Sequence, residues 1–158
     1  MRVAIGTDHA GYMLKAPVAE LLKSLGHDVV DVGVFEHDPT DDYPDYAKAV
    51  AESVTNGQVE RGVMLCGSGV GACVAANKVR GVRASVCHDT YSARQGVEHD
   101  DINMLCLGAR VVEEELAKEL LAVYISARFS GEDRHRRRLD KVIAIESEWV
   151  DRPVGSGC

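Results

Sequence analysis

The sequence predicts an α/β protein: a three-layer, doubly wound, Rossmann-like sandwich around a mostly parallel five-stranded sheet. Two observations carry that prediction. Five short apolar runs alternate with segments of helical periodicity along 158 residues, the order of βαβ units whose right-handed crossovers cover both faces of a parallel sheet. The length suits one domain, and no repeat, linker or low-complexity stretch divides it. Residues 1–149 therefore read as a single domain and 150–158 as a flexible tail. Aromatic residues make up only 5%, so Val, Ile, Leu and Ala must build the core.

The elements follow in order. Arg2 to Gly6 is a first strand that runs into Thr7-Asp8-His9-Ala10-Gly11. Leu14, Val18, Leu21, Leu22 and Leu25 recur on one helix face, and Gly26 stops that helix. Asp28 to Val32 is a second strand, followed by a polar loop from His37 to Asp42 and a helix with Tyr46, Val50 and Val54 on one face. Gly62 to Cys66 is a third strand entering Gly67-Ser68-Gly69-Val70-Gly71, and the next helix carries Val74 and Lys78. Val82 to Cys87 is a fourth strand, about Tyr91 to Glu98 a helix, and Asn103 to Leu107 a fifth strand. A long helix from about Glu113 buries Leu116, Leu120, Val123, Tyr124 and Ala127; a last helix carries Leu139, Val142 and Ile143.

Composition narrows the function. A net charge of −7 argues against nucleic acid and anionic membrane as partners. No apolar stretch approaches the ~20 residues of a membrane span. The chain starts as a strand and not as a basic region before an apolar signal, so a cytoplasmic protein is expected. Five scattered cysteines without a CxxC pair imply reduced thiols. Six dispersed histidines lack the HxH or HxxxH spacing of a metal site.

In a doubly wound sheet, ligands bind at the carboxyl ends of the strands. That rule selects Asp8-His9, the Gly67–Gly71 loop and the segment after the fourth strand. Glycines on alternate positions let backbone N–H groups converge on an anion, with the Cys66 thiol at the lip of the cradle. No Gly-Lys-Ser/Thr follows, which excludes a Walker loop, and a tyrosine-phosphatase loop would need an arginine where Ala72 stands. Beside such donors the thiol gains thiolate character; the competing reading is a small hydrophobe at a strand end. Between Arg128 and Lys141 the chain carries a net +3 against −10 elsewhere. Arg134 and Arg138, four apart, share a helix face and can fork onto one phosphate.

GTDHAGYMLK, DYPDYA, LCGSGVG, AANKVRGVRA, YSARQGVEHDDINML, LGARVV and the RHRRR cluster follow one another in order. Together they resemble the ribose-5-phosphate isomerase B and galactose-6-phosphate isomerase family over roughly residues 1–147. The resemblance implies aldose–ketose isomerisation of a small sugar phosphate through an enediol(ate), without metal or cofactor. It implies Cys66 as the proton-abstracting base, where some relatives use a glutamate at the position of Ala72. His99 matches the ring-opening histidine, and Asp8 and His9 match the pair that contacts the sugar and its ring oxygen. Gly67, Ser68, Gly69, Val70 and Gly71 match the oxyanion cradle, with Ser68 bonding the thiol or a sugar hydroxyl. Arg110, Arg134 and Arg138 match the phosphate ligands. Asp100 stands where the family usually has Asn, and an ionised Asp accepts hydrogen bonds only.

The resemblance further implies a homodimer or dimer of dimers with the site at the interface, His99 and Arg110 approaching the glycine loop from the partner chain. Ribose 5-phosphate to ribulose 5-phosphate is the expected reaction. A tetrose phosphate (erythrose/erythrulose 4-phosphate) or a hexose phosphate (galactose or allose 6-phosphate) would use the same chemistry. A sugar-phosphate sensor on the same fold would need the arginines but no base, and a nucleotide-binding module would bind NAD or ATP tightly.

Overall fold

Hydrogen-bond pairing along the backbone gives one five-stranded, wholly parallel sheet in the order β2-β1-β3-β5-β4. A computed structural model of the chain describes residues 1–33, 36 and 38–150. The strands are β1 Arg2–Thr7, β2 Asp28–Asp31, β3 Arg61–Cys66, β4 Ala84–Val86 and β5 Met104–Gly108. Between and after them run α1 Tyr12–Ser24, α2 Tyr43–Thr55, α3 Val70–Ala76, α4 Thr90–Asp100, α5 Glu114–Ser126 and α6 Asp133–Val150.

Strand side chains alternate between two apolar layers, as a period of two requires. Val3, Ile5, Val63, Leu65, Leu105 and Leu107 meet α1, α4 and α5. Ala4, Met64, Cys66, Met104 and Cys106 meet α2 and α3. The helices after β1 and β3 therefore lie on opposite faces, and the crevice between the carboxyl ends of those adjacent strands is the switch point of the fold. There, the Asp8 N–H donates to the Leu65 carbonyl at 3.3 Å.

Four sequence expectations need correction. The third helix ends at Ala76, short of Lys78, and Val74 is exposed. It seats Ala72 and Ala76 on the sheet, while the Asn77 side chain bonds Cys73 O and both Ala84 N and Ala84 O, closing the connection. β4 is shorter than 82–87 because Val82 N turns back to Val79 O and Arg83 N bonds the Asn103 side chain. α4 runs on through Asp100, so His99 lies within its last turn, and left-handed Asp101 (φ 51) ends it. On α6, Val142 and Ile143 are exposed together with Ile145, while Leu139 is half-buried.

Of the expected polar loop, residue 37 lies outside the described residues; beyond it Asp38 accepts from both N and Oγ1 of Thr40. The tail 151–158 also lies outside them. The four described cysteines are free thiols. Among the described residues no helix is long and apolar enough to cross a membrane.

Candidate active site

A pocket of ≈ 340 Å³ opens at the switch point, lined by Asp8, His9, Cys66, Gly67, Arg110 and Tyr43 among others. Cys66 is the last residue of β3, and its side chain faces the α2–α3 layer with 4% of the residue exposed. Its Sγ accepts the Gly69 N–H at 3.1 Å. Gly69 can aim that amide because it adopts φ +82, a left-handed conformation that glycine takes without strain. A Cβ there would also meet the Gly108 amide and the Leu107 carbonyl carbon at 3.3 Å.

The glycine loop thus forms, but its amides divide their work. Gly69 serves the thiol, and Val70 N–H goes to Ser68 Oγ at 3.3 Å. Ser68 and Gly71 line the pocket with Gly67, whereas the Val70 side chain is exposed to solvent. A Cβ on Gly71 would lie 2.7 Å from the Tyr43 ring, so that tyrosine closes against a position only glycine leaves open.

Asp8 does two things. Its Oδ1 accepts the Gly11 N–H at 3.0 Å, fixing the turn before α1, and the residue lines the pocket at 5% exposure. Gly11 is itself the cap residue of α1. His9 is held by Asp41, whose carboxylate accepts the His9 N–H at 2.9 Å and lies 2.6 Å from Nδ1. Burial, followed by the charge of Asp41, pushes the neighbouring Tyr46 hydroxyl above its ordinary pKa. Sequence reasoning missed Asp41 altogether and set Tyr43 aside; neither spacing nor composition marks a loop carboxylate that will meet the turn after β1, 32 residues earlier.

Arg110 belongs to its own chain's pocket, which corrects the expectation that a partner supplies it. Arg110 N donates to Gly67 O at 3.0 Å and Ala109 N to Cys66 O at 2.8 Å, so the turn after β5 is tied to the glycine loop.

The other expected residues gather elsewhere. His99 and Asp100 end α4, which runs down to the start of β5, whereas Cys66 pairs with Gly108 at its end. At ~3.3 Å per residue, β5 alone places on the order of 13 Å between those two ends of the sheet. There the His99 ring stacks on His135 with centroids 4.0 Å apart, and Gln95 Nε2 lies 2.8 Å from His99 Nδ1. His135 is 1% exposed, and its Nδ1 lies 2.6 Å from Ser130 Oγ. Burial first, then the charges of His99 and Arg134, push the His135 imidazole below its ordinary value. Arg134 and Arg138 are exposed on α6 nearby, and Arg134 Nε meets Glu132 at 2.8 Å. Among the described residues no group of three His, Cys, Asp or Glu side chains is placed to hold a metal ion.

One chain therefore holds the expected residues in two separate clusters. At the carboxyl end of the sheet sit a thiol, amides, Asp8, His9 and Arg110; at the amino end sit His99, Asp100, Arg134 and Arg138.

Comparison with known proteins places this arrangement. The family model described as Ribose/Galactose Isomerase matches residues 3–142. The ribose-5-phosphate isomerase B of Escherichia coli (strain K12) is 42% identical over 145 residues, covering 92% of this chain and 96% of the relative. A D-erythrulose-4-phosphate isomerase of Pectobacterium atrosepticum is 41% identical over 134 residues, covering 83% of this chain and 86% of the relative. The crystal structure of ribose-5-phosphate isomerase B from Mycoplasma genitalium with bound ribulose-5-phosphate superposes with a TM-score of 0.88 at 40% identity, covering 93% and 97% of the two chains. With a matching model over most of its length and relatives this close, the chain belongs to the ribose/galactose isomerase family.

Proposed function

We propose that this enzyme interconverts ribose 5-phosphate and ribulose 5-phosphate through a cis-enediol(ate), in a site shared between two copies of the chain. Membership of the family makes it an aldose–ketose isomerase of a sugar phosphate; the substrate and the residue roles are the proposal. The observation that carries it is the thiol of Cys66, buried at the mouth of a small pocket and held against a loop amide.

In this mechanism His99 of the partner copy opens the sugar ring by moving a proton between the ring oxygen and the anomeric hydroxyl. Cys66 takes the proton from C2, beside the carbonyl, and returns it to C1, while the proton of the C2 hydroxyl passes to O1, so that the carbonyl moves from C1 to C2. Loop amides of Gly67–Gly71 not spent on the thiol or on Ser68 stabilise the enediolate oxygen, worth ~3 kcal/mol per well-placed donor. Arg110 holds the phosphate from the Cys66 side while Arg134 and Arg138 close on it from the partner. Asp8 and His9 hold sugar oxygens. Asp100, exposed at the end of α4, meets the sugar as an acceptor. The reaction moves protons only, so no cofactor is required. We place the enzyme in the cytoplasm, where sugar phosphates are available.

The second copy is required because Cys66 and His99 lie at opposite ends of one sheet. It also suits the exposed apolar side chains of α6, the helix that carries Arg134 and Arg138. A tetrose phosphate is the alternative substrate, favoured by the D-erythrulose-4-phosphate isomerase relative. Initial rates on four-, five- and six-carbon aldose phosphates test the assignment. A kcat/KM of ~10⁴ M⁻¹s⁻¹ or more is expected on ribose 5-phosphate. A clear preference for erythrose 4-phosphate would move the assignment to the tetrose, and inactivity on the whole panel would refute it.

A further inference from the structure

Asp41 belongs to the loop before α2, yet its side chain is only 5% exposed and lies against the turn that follows β1. Two donors of His9 converge on it. The His9 N–H reaches Oδ2 at 2.9 Å and Oδ1 at 3.2 Å. His9 Nδ1 lies 2.6 Å from Oδ1. Burying a carboxylate is costly unless hydrogen bonds replace its water, and here they do.

A latch between two loops could be made by a neutral amide or hydroxyl at less desolvation cost. What a carboxylate adds is an acceptor-only partner for the ring nitrogen. Facing it, Nδ1 must carry the proton of the neutral imidazole, which puts the lone pair on Nε2. This is how an outer carboxylate sets the tautomer and orientation of a working histidine. The backbone bond does the second half of the job, because it fixes the residue from which the ring projects. His9 lines the pocket together with Asp8, Cys66 and Arg110, so its ring forms part of the wall on the thiol side.

We propose that Asp41 is the positioning residue of His9: by binding both its N–H and Nδ1–H, it makes Nε2 the nitrogen through which His9 acts on the sugar. The kinetic part of this statement rests on the isomerase reading, whereas the tautomer does not.

Two readouts test it. In the substrate-free protein at pH 8, where an ordinary imidazole is neutral, long-range ¹H–¹⁵N correlation spectra report which nitrogen of each histidine is protonated. The signal of His9 is identified by its loss in His9→Gln. The wild type is expected to show His9 protonated on Nδ1. Asp41→Asn, which presents an NH₂ to one of the two His9 donors, is expected to move the proton to Nε2. On the best sugar phosphate the same variant should lose about 10- to 100-fold in kcat with KM within about threefold, the range typical of lost outer-shell partners. Should Asp41→Asn not fold, Asp41→Ser removes the same carboxylate.

Wild-type His9 protonated on Nε2, or a tautomer unchanged in the variant, would overturn the proposal. So would a shifted tautomer with unaltered kcat, since Asp41 would then be a structural latch. A wild type that turns over no sugar phosphate would sink the functional reading while the spectrum still decides the role of Asp41.

Discussion

Cys66 shows how one side chain is oriented by both its neighbours and its position in the strand. The two-residue period of β3 sends its side chain to the α2–α3 layer, and left-handed Gly69 turns an amide back onto the sulfur. Cys66→Ala removes the sulfur and little volume, so it should lower kcat/KM about 10³-fold, a general-base-sized loss. The folded structure should persist, as judged by an unchanged near-UV spectrum. Deuterium incorporation from D₂O into the substrate carbons would stop with it. Retention of full exchange in the variant would assign the base elsewhere.

His135 yields a prediction about pH. Its folded-state pKa is lowered, chiefly by burial and then by the charges of His99 and Arg134. The unfolded chain therefore binds a proton that the folded one resists. That raises the unfolded state's proton count relative to the native state, and stability falls as pH drops below about 6.5. The thermal midpoint of the wild type should fall more between pH 7.5 and 5.5 than that of His135→Gln. Equal falls would show that His135 does not titrate with folding. Residues of this kind differ in how they show in a sequence. Cys66, Asp8 and Arg134 sit in local motifs whose residue types announce anion and proton chemistry. Asp41 and the His99–His135 stack are made by tertiary packing between distant segments, which no local pattern records.

At the scale of elements, the alternation of strands and helices was legible because apolar runs and helical spacing are local signals. Their ends were not. α4 runs past Glu98 because Asp101 adopts the left-handed conformation that ends it, a choice invisible in composition. The helix after the glycine loop is short and meets the sheet through alanines, so its larger side chains Val70 and Val74 point to water. The apolar residues Val142, Ile143 and Ile145 of α6 remain exposed in the single chain, which the helical spacing alone did not reveal.

The connections around Cys66 are tight where two turns cross. A Cβ on Gly108 would fall 2.5 Å from the Ser68 carbonyl carbon, whereas one on Gly67 would make only ordinary contacts at 3.5 Å. Gly108→Ala is therefore expected to cost about 1–3 kcal/mol through forced backbone movement. Gly67→Ala should change stability by less than about 0.5 kcal/mol, as at an unstrained position. Denaturant unfolding of the two variants makes the comparison, and a reversed order would contradict the crossing of these turns.

For the molecule as a whole, the fold separates residues that the proposed mechanism brings together. Parallel strands carry Cys66, Asp8 and Arg110 to one end of the sheet, and antiparallel helices return His99 and Arg134 to the other. The sequence motifs named both halves, but whether they meet within one chain depends on the direction of each element in space. It was the structure that moved Arg110 to the Cys66 half.

The measurement that bears most directly on this account is complementation between two inactive variants, Cys66→Ala and His99→Asn. Each alone should be nearly inactive. After mixing in equal amounts under conditions where subunits exchange, with native mass spectrometry confirming hybrids, about half the dimers carry one variant of each kind. Each such dimer has one intact site, so activity should rise to about a quarter of the wild-type value. Hybrids that form and yet stay as inactive as their parents would place Cys66 and His99 in the service of the same chain, and the two-copy site would be wrong.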